Sequence, residues 1–185
     1  MIIGFTGRIA AGKETIKEFL VNKGFKYFQT SDILKGILIE RGMEINRSNM
    51  QDLGDELRNK DGPGVLMKMF LENIDKNEDY IIDSLRNPKE AEFLRGSGIK
   101  FYLIAVDAPQ KLRYERIKSR GKTSDPMIWE DFLKIDERDY GEDDENGQQV
   151  GKCMEIADII IVNDGDIEKS MKEIESFWDS INPGK

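Results

Sequence analysis

A glycine-rich stretch near the amino terminus, GRIAAGKET at residues 7–15, limits what this chain can fold into more than any other feature. It directly follows a short apolar run, residues 2–6, and leads into residues 13–22, which have the apolar spacing of a helix. A G-x-x-x-x-G-K pattern between a strand and a helix is typical of a phosphate-binding loop, because glycines permit tight turns and the helix start offers backbone N–H groups to an anion. The alternative is an ordinary strand–turn–helix that matches the pattern by chance.

The residue after Lys13 departs from the usual pattern. A serine or threonine that binds Mg²⁺ is normal there, but this chain has Glu14, and a hydroxyl comes only at Thr15. Either Glu14 coordinates Mg²⁺ through water beside Thr15, or it is a first-turn acid that the helix dipole favours and that points away. The residues that we expect to bind a nucleotide here are Gly7, Ala10, Ala11, Gly12, Lys13, Glu14 and Thr15.

Composition excludes several classes of function. The formal net charge is −8, which disfavours nucleic acid and anionic membranes as partners. The chain has no histidine and one cysteine, which excludes His/Cys zinc sites and Ser-His or Cys-His nucleophiles. No apolar run approaches the ~20 residues of a membrane-spanning helix. We therefore expect a single cytoplasmic domain, residues 1–185, that is a monomer or a homodimer.

Apolar runs alternate with helical patterns along the whole chain. The predicted strands are residues 2–6, 25–28, 80–83, 101–106 and 159–162. The predicted helices are residues 13–22, 30–41, 46–60, 65–74, 89–95, a helix opened by Pro109, 149–157 and 167–181. This alternation is typical of a parallel sheet that helices cover on both faces.

The third strand, YIID, ends in Asp83. An acid at a strand end beside a phosphate loop can orient Mg²⁺ or its waters, although strand-end aspartates also cap helices. Arg86 follows, and we expect it to face the crevice at the carboxyl ends of the strands and to contact an acceptor.

The segment RYERIKSRGK places three arginines on one helix face, Arg113, Arg116 and Arg120. Arg116 and Arg120 are our preferred candidates for neutralising a transferred phosphoryl group, ahead of Arg113. Arg138, in DERDY, is a second candidate. The alternative is a solvated helix face.

Candidates for acceptor binding lie after the second strand and on the polar helix that follows. They are Asp32, Arg47 and Arg58. A monophosphate acceptor needs guanidinium partners, whereas a surface helix of mixed charge explains each arginine nearly as well.

Three stretches resemble the group of P-loop nucleoside and nucleotide kinases: GRIAAGKET, then IIDSLRNPKEAEFLR with VDAPQKLRYERIKSR, and GQQVGKCMEIADIIIVNDG. The G-K-x-T spacing is similar to the G-K-G-T of adenylate kinases. The second stretch resembles the kinase-like domain of deoxycytidylate-deaminase-type proteins. The third resembles dephospho-coenzyme A kinase, although DSLRNP and the lack of histidine depart from that family's pattern.

The resemblance implies a three-layer α/β/α P-loop fold with a five-stranded parallel sheet in the order 2-3-1-4-5. It also implies acceptor-binding helices at about residues 30–76, a helical lid at about residues 120–147 to which Gln148 or Gln149 belongs, and a loop with Asn163 and Gly165 near the donor base. The function it implies is an ATP- and Mg²⁺-dependent kinase whose acceptor is a small nucleotide, first a (deoxy)nucleoside monophosphate and second dephospho-coenzyme A.

Two other classes of function are weighed against a kinase. A non-catalytic nucleotide sensor is favoured slightly by Glu14 and opposed by the arginine-rich segment. A GTPase switch needs an N-K-x-D motif, and the NDGD sequence at residues 163–166 lacks the lysine.

Overall fold

The computed structural model describes residues 1–121, 128–141 and 147–183, except for the side chains of residues 47, 48, 51 and 55. The strands are β1 (Ile2–Gly7), β2 (Lys26–Gln29), β3 (Tyr80–Asp83), β4 (Phe101–Asp107) and β5 (Ile159–Val162). The helices are α1 (Lys13–Val21), α2 (Thr30–Glu40), α3 (Arg47–Asp61), α4 (Val65–Asn73), α5 (Pro88–Arg95), α6 (Gln110–Arg120), α7 (Trp129–Tyr140), α8 (Val150–Glu155) and α9 (Ile167–Ile181). Within the described ranges, no helix has the length and apolar character needed to cross a bilayer.

The five strands form one sheet in the order β2-β3-β1-β4-β5. Every pair of neighbours is parallel, and in the centre Ile3 of β1 lies opposite Ile81 of β3 and Tyr102 of β4. The predicted fold class and strand order are therefore confirmed.

Alternation along β1 sends its side chains to two separate cores. Ile2 packs with residues of α2, α3, α4 and α5 on one face of the sheet. Ile3 and Phe5 pack on the other face with α1 and α9. Because both of their faces are covered, β1, β3 and β4 are largely apolar runs, which makes them recognisable in the sequence, whereas the edge strand β2 is partly polar and exposed.

The carboxyl ends of the strands bring the candidate site together at one edge of the sheet. The loop of residues 8–12 follows β1, Asp83 ends β3, Asp107 ends β4, and Asn163 follows β5. Residues far apart in the sequence thus meet where open α/β sheets bind ligands.

The sequence analysis predicts no bounds for α7, which lies inside the polar segment assigned to the lid. Its buried face includes Phe132 and also Asp136, which is 1% exposed. A carboxylate at a core position breaks the apolar periodicity on which helix prediction depends. Residues 122–127 and 142–146 of the predicted lid, which include most of the acidic loop, lie outside the described residues.

Arg113 holds α7 against α6. Its side chain is 2% exposed, its Nη2 donates to Oδ2 of Asp136 at 2.8 Å, and its Nη1 pairs with Oδ1. Its Nε donates to the carbonyl of Ala108 at 2.9 Å. Arg113 is therefore a buried structural residue. It shares a helix face with Arg116 and Arg120 but does not line the candidate site as they do.

We expect Asp136→Asn to lower the free energy of unfolding by about 3 kcal/mol at neutral pH, because Arg113 then stays buried without its counter-charge. Asp131→Asn, which removes an exposed carboxylate from the same helix, should change it by less than about 0.5 kcal/mol. Urea unfolding of both variants measures the difference, and equal stabilities would contradict the assignment.

The pH dependence of stability follows from the same pair. Burial alone would raise the pKa of Asp136, but the hydrogen bonds from Arg113 and Gln110 outweigh it and lower that pKa. Because the folded pKa lies below the unfolded value of about 4, the stabilisation is complete above about pH 4 and is lost as pH falls through the folded pKa. The wild-type and Asp136→Asn unfolding free energies should therefore converge in acid.

Candidate functional site

The backbone geometry of the glycine-rich loop requires glycine at two positions. Gly7 has φ +128°, and a Cβ there would lie 2.0 Å from the carbonyl oxygen of Val106. Gly12 has φ +94°, and a Cβ there would lie 2.2 Å from Nδ2 of Asn163. Ala10 also adopts a left-handed conformation, with φ 57°. The two glycines are thus required by close contacts with β4 and with the residue after β5.

Two side chains brace this loop from the side of α6 and β5. Arg116 Nη1 donates to the carbonyl of Ala11 at 3.1 Å, and its Nη2 donates to Oδ1 of Asn163 at 2.9 Å. Asn163 Nδ2 donates to the same Ala11 carbonyl at 3.1 Å. Both side chains therefore fix the course of the loop.

Lys13 begins α1 and folds back over the loop. Its Nζ donates to the carbonyls of Gly7 and Arg8, at 3.0 Å each. Burial lowers the pKa of Lys13 to about 8, against a smaller opposing effect of Asp83. A phosphate in the loop would give this ammonium a close counter-charge.

A cavity of about 570 Å³ opens directly onto the loop, and we call it the loop cavity. It is lined by Gly7, Ile9, Ala10, Ala11, Gly12, Lys13, Glu14, Asp83, Ser84, Leu85, Arg86, Arg116, Arg120, Ile135, Asp139 and Val150. Four basic side chains face three acidic ones here, although the whole chain is acidic. The local excess of positive charge suits an anionic ligand.

The loop cavity brings together most of the residues that the sequence pointed to. These are Gly7, Ala10, Ala11, Gly12, Lys13, Glu14, Asp83, Arg86, Arg116 and Arg120. Asp136 ties helix α7, which lies in the predicted lid segment, to the glycine-rich loop, because it accepts a hydrogen bond from Arg8 at 3.0 Å. The Arg8 guanidinium also lies 3.7 Å from the ring centroid of Tyr140.

A charged cluster lies between α1 and the end of β3. Lys17 Nζ donates to Glu14 Oε1 at 2.8 Å and to Asp83 Oδ2 at 2.7 Å, while Tyr27 donates its hydroxyl proton to Asp83 at 2.6 Å. Burial alone would raise the pKa of Asp83, but these hydrogen bonds outweigh it and lower that pKa. Likewise, burial alone would lower the pKa of Lys17, yet its carboxylate partners raise it. Both groups are therefore charged near neutral pH.

Sequence reasoning missed Lys17 and Tyr27. Lys17 is 2% exposed and follows Lys13 by four residues and precedes Leu20 by three, so it lies on the buried face of α1. That spacing was the available signal, but a lysine is usually assumed to be solvated.

A second cavity of about 380 Å³ adjoins the loop cavity, and we call it the side cavity. It is lined by Gln29, Thr30, Ser31, Leu34, Met50, Gly54, Arg58, Leu66, Asp83, Ser84, Arg86, Asn87, Glu90, Gly147 and Gln148. The two cavities share Asp83, Ser84 and Arg86. Ligands in the two cavities would thus lie against the same three residues, at the end of β3 and just after it.

Arg86 is held between the two cavities by its backbone. Its N–H donates to Glu90 Oε2 at 2.9 Å, and its carbonyl accepts from the N–H of Gln149 at 2.6 Å. Glu90 and Asn87 form a capping box at the start of α5, for which the NPKE stretch was the available sequence signal. Burial raises the pKa of Glu90, against the effect of its backbone donors.

Several predicted site residues lie elsewhere. Thr15 is exposed and lines neither the loop cavity nor the side cavity, and the same holds for Arg138 and for Asp32, whose carboxylate pairs with Lys35 at 2.7 Å. Asn163 is buried against the loop carbonyl of Ala11 and lines neither cavity, and Gly165 is exposed. The backbone of Arg47 begins α3, but its side chain lies outside the described residues.

No group of three or more His, Cys, Asp or Glu side chains that could hold a metal occurs in the described ranges. Glu14 and Asp83 are two carboxylates bound to one ammonium, that of Lys17. Two carboxylates can hold Mg²⁺ when substrate phosphates supply further oxygen ligands.

Comparison with known proteins gives a family match over most of the chain. The model of the AAA domain family matches residues 3–146. The UPF0200 protein of Thermococcus gammatolerans is 30% identical, with 100% of this chain and 97% of that protein covered. The UPF0200 protein of Sulfurisphaera tokodaii is 34% identical, with 97% of each chain covered.

Solved structures share the fold at low sequence identity. The Thermus thermophilus protein TT1252 superposes with a TM-score of 0.62 at 18% identity, covering 98% of each chain. Shikimate kinase from Aquifex aeolicus gives 0.55 at 15% identity over 100% of each chain. Dephospho-CoA kinase from Campylobacter jejuni gives 0.54 at 18% identity over 99% of this chain and 98% of that one. The P-loop kinase-type fold that the sequence predicted is thus confirmed.

We expect Asn163→Ala to loosen the glycine-rich loop, because the Ala11 carbonyl and the Arg116 guanidinium each lose a hydrogen-bond partner. Amide hydrogen exchange in residues 8–12 should become at least several-fold faster, while the strands β1 and β4 keep their protection. Asp164→Ala is the matched control, because it removes a neighbouring exposed ion pair with Lys169. Equal exchange in the two variants would contradict the bracing role.

Proposed function

Since the chain belongs to the UPF0200 family and carries an AAA domain with a P-loop kinase-type fold, we propose that it is an ATP-dependent phosphotransferase. It moves the γ-phosphoryl group of ATP to a small nucleotide acceptor, for which a (deoxy)nucleoside monophosphate fits best. The observation that carries this proposal is the pair of adjoining cavities, one on the glycine-rich loop and one lined by Arg58, which meet at Asp83, Ser84 and Arg86.

The donor binds in the loop cavity. Backbone N–H groups of the loop and of the α1 start receive the phosphates, and Lys13 turns from the Gly7 and Arg8 carbonyls to the outer phosphates. Arg120 and Arg86 neutralise charge that develops on the transferred group. Arg116 contributes chiefly by holding the loop in place.

Glu14 and Asp83 are the residues that would hold Mg²⁺ or its waters. A cation at one point reaches both carboxylates, because the Lys17 ammonium lies within 2.8 Å of each, so the donor set fits the ion. When bound, Mg²⁺ neutralises charge on the phosphate oxygens. Thr15, exposed and outside the loop cavity, is the weaker of the proposed ligands.

The acceptor binds in the side cavity. Arg58 and Arg86 provide guanidinium partners for its phosphate, since arginine pairs with phosphate through two parallel hydrogen bonds. Leu34, Met50 and Leu66 offer an apolar wall for a base. Transfer then depends on positioning and charge neutralisation rather than on a strong base, which is consistent with a chain that lacks histidine.

The test is an assay of ADP release from ATP with Mg²⁺ against all ribo- and deoxynucleoside monophosphates, dephospho-coenzyme A, and no acceptor. Stimulation by a nucleoside monophosphate supports the proposal, whereas stimulation by dephospho-coenzyme A alone supports the acceptor that the Campylobacter jejuni enzyme suggests. Tight ATP binding without stimulation by any acceptor contradicts a kinase and favours a nucleotide sensor.

We expect Arg58→Ala to raise the KM for the acceptor by about 10- to 100-fold, the cost of one or two charge-assisted hydrogen bonds, with little change in the KM for ATP. Arg41→Ala is the control, because it removes an exposed arginine that pairs with Glu56 of α3. Steady-state kinetics with each substrate varied measures both constants. An unchanged KM for the acceptor in Arg58→Ala would contradict binding of the acceptor in the side cavity.

Nucleotide binding should weaken as pH rises through about 8. The free Lys13 ammonium loses its proton near that pH, and bound phosphates favour its charged form, so binding above pH 8 takes up close to one proton and affinity falls by up to tenfold per pH unit. Calorimetry in two buffers with different ionisation enthalpies measures the uptake. Lys13→Met should bind nucleotide weakly and without this uptake; the same proton uptake in that variant would contradict the assignment.

A further inference from the structure

Lys17 occupies a point that both candidate metal-binding carboxylates share. Its Nζ lies 2.8 Å from Glu14 Oε1, 2.7 Å from Asp83 Oδ2 and 3.2 Å from the Tyr27 hydroxyl. Its side chain is 3% exposed, whereas the Glu14 side chain is 80% exposed. A buried ammonium with three oxygen neighbours is therefore a cation site that is already filled by the chain itself.

A divalent ion cannot join this arrangement without moving Lys17. Mg²⁺ binds carboxylate oxygens at 2.0–2.1 Å, so an ion that contacts both Glu14 and Asp83 lies within a few ångströms of the Lys17 ammonium. Two cations at that distance repel each other strongly, because the Lys17 and Asp83 side chains are only 3% and 13% exposed and water screens their surroundings little. Either the metal stays out or the ammonium leaves its carboxylate partners.

Lys17 keeps one existing contact if its ammonium leaves the carboxylates, because Nζ already lies over the Tyr27 ring. The Tyr27 ring centroid lies 5.0 Å from Nζ, within reach of a cation–π contact, and the four-carbon lysine stem is flexible. Nucleotide phosphates in the loop cavity add the further oxygen ligands that make divalent binding favourable. The energetic balance therefore changes only when the nucleotide arrives.

We propose that Lys17 is a resident cation that competes with the divalent metal for Glu14 and Asp83, so that the protein takes up metal with nucleotide and not before. This inference rests on the proposed function for the identity of the site. Its consequence is an ordered uptake in which nucleotide and metal bind together and displace the ammonium from the carboxylates.

The experiment measures Mn²⁺ binding to the nucleotide-free protein by electron paramagnetic resonance. Lys17→Met should bind Mn²⁺ at least tenfold more tightly than wild type, and adding Asp83→Asn to that variant should remove the gain. Lys35→Met is the matched control, because Lys35 also pairs with an acid three residues away, Asp32, and the substitution changes the net charge equally. Equal Mn²⁺ affinity in Lys17→Met and Lys35→Met overturns the proposal, as does wild-type affinity equal to that of Lys17→Met.

A second measurement keeps the proposal testable if Lys17→Met does not fold. The NMR signal of the Lys17 side chain in the wild-type protein should be unchanged by Mg²⁺ alone and should shift when Mg²⁺ is added with ADP. An unshifted signal with Mg²⁺ and ADP bound overturns the proposal. Neither readout requires phosphoryl transfer. A failed acceptor assay together with the expected Mn²⁺ result would therefore reject the proposed kinase activity but support the role of Lys17 as a resident cation.

Discussion

Arg116 and Asn163, from two distant parts of the chain, both bind the carbonyl side of the glycine-rich loop. Loop carbonyls that pack against the protein need partners, and these side chains provide them. Asn163 also fills the space beside Gly12 that a Cβ would need. The contact therefore ties the loop after β1 to α6 and to the end of β5, and the shape of the loop cavity depends on it.

The local charge at this edge of the sheet is opposite in sign to the net charge of the whole molecule. The chain has a formal net charge of −8, yet the loop cavity has an excess of basic side chains. Lys13 donates to backbone carbonyls of the loop, and burial lowers its pKa to about 8. Lys17, by contrast, is paired with both Glu14 and Asp83. Lys13 can thus gain a counter-charge from a bound anion, whereas Lys17 already has two.

The fold could be read from the sequence because its main signals are local. Buried parallel strands appear as apolar runs, and a glycine-rich loop with this pattern between a strand and a helix is typical of a phosphate-binding loop. The strand order came from the resemblance to P-loop kinases, and the structure confirms it. The bounds of helix α7 could not be predicted because Asp136 occupies a position where an apolar residue is expected. An ion pair with Arg113, 23 residues away in the sequence, stabilises the carboxylate there.

The site could be read only in part because side-chain direction and depth depend on tertiary contacts. Arg113 and Arg116 share one helix face, yet the first packs against α7 and the second against the loop. Residue 15 is turned about 100° around the helix axis from residue 14, which is why Glu14 lines the loop cavity and Thr15 does not. Lys17 and Glu90 were missed because the available signals, the spacing of Lys17 along α1 and the NPKE stretch, are outweighed by the usual exposure of charged residues.

We propose that the loop cavity and the side cavity are the donor and acceptor halves of one site. The most direct measurement is calorimetry with dinucleoside oligophosphates, in which adenosine and a second nucleoside are joined by four or five phosphates. If the claim holds, one of them binds at least 100-fold more tightly than ATP, because its second half binds intramolecularly. Arg58→Ala removes that gain and leaves ATP binding unchanged. Affinity no better than that of ATP across all second nucleosides would contradict a joined donor–acceptor site.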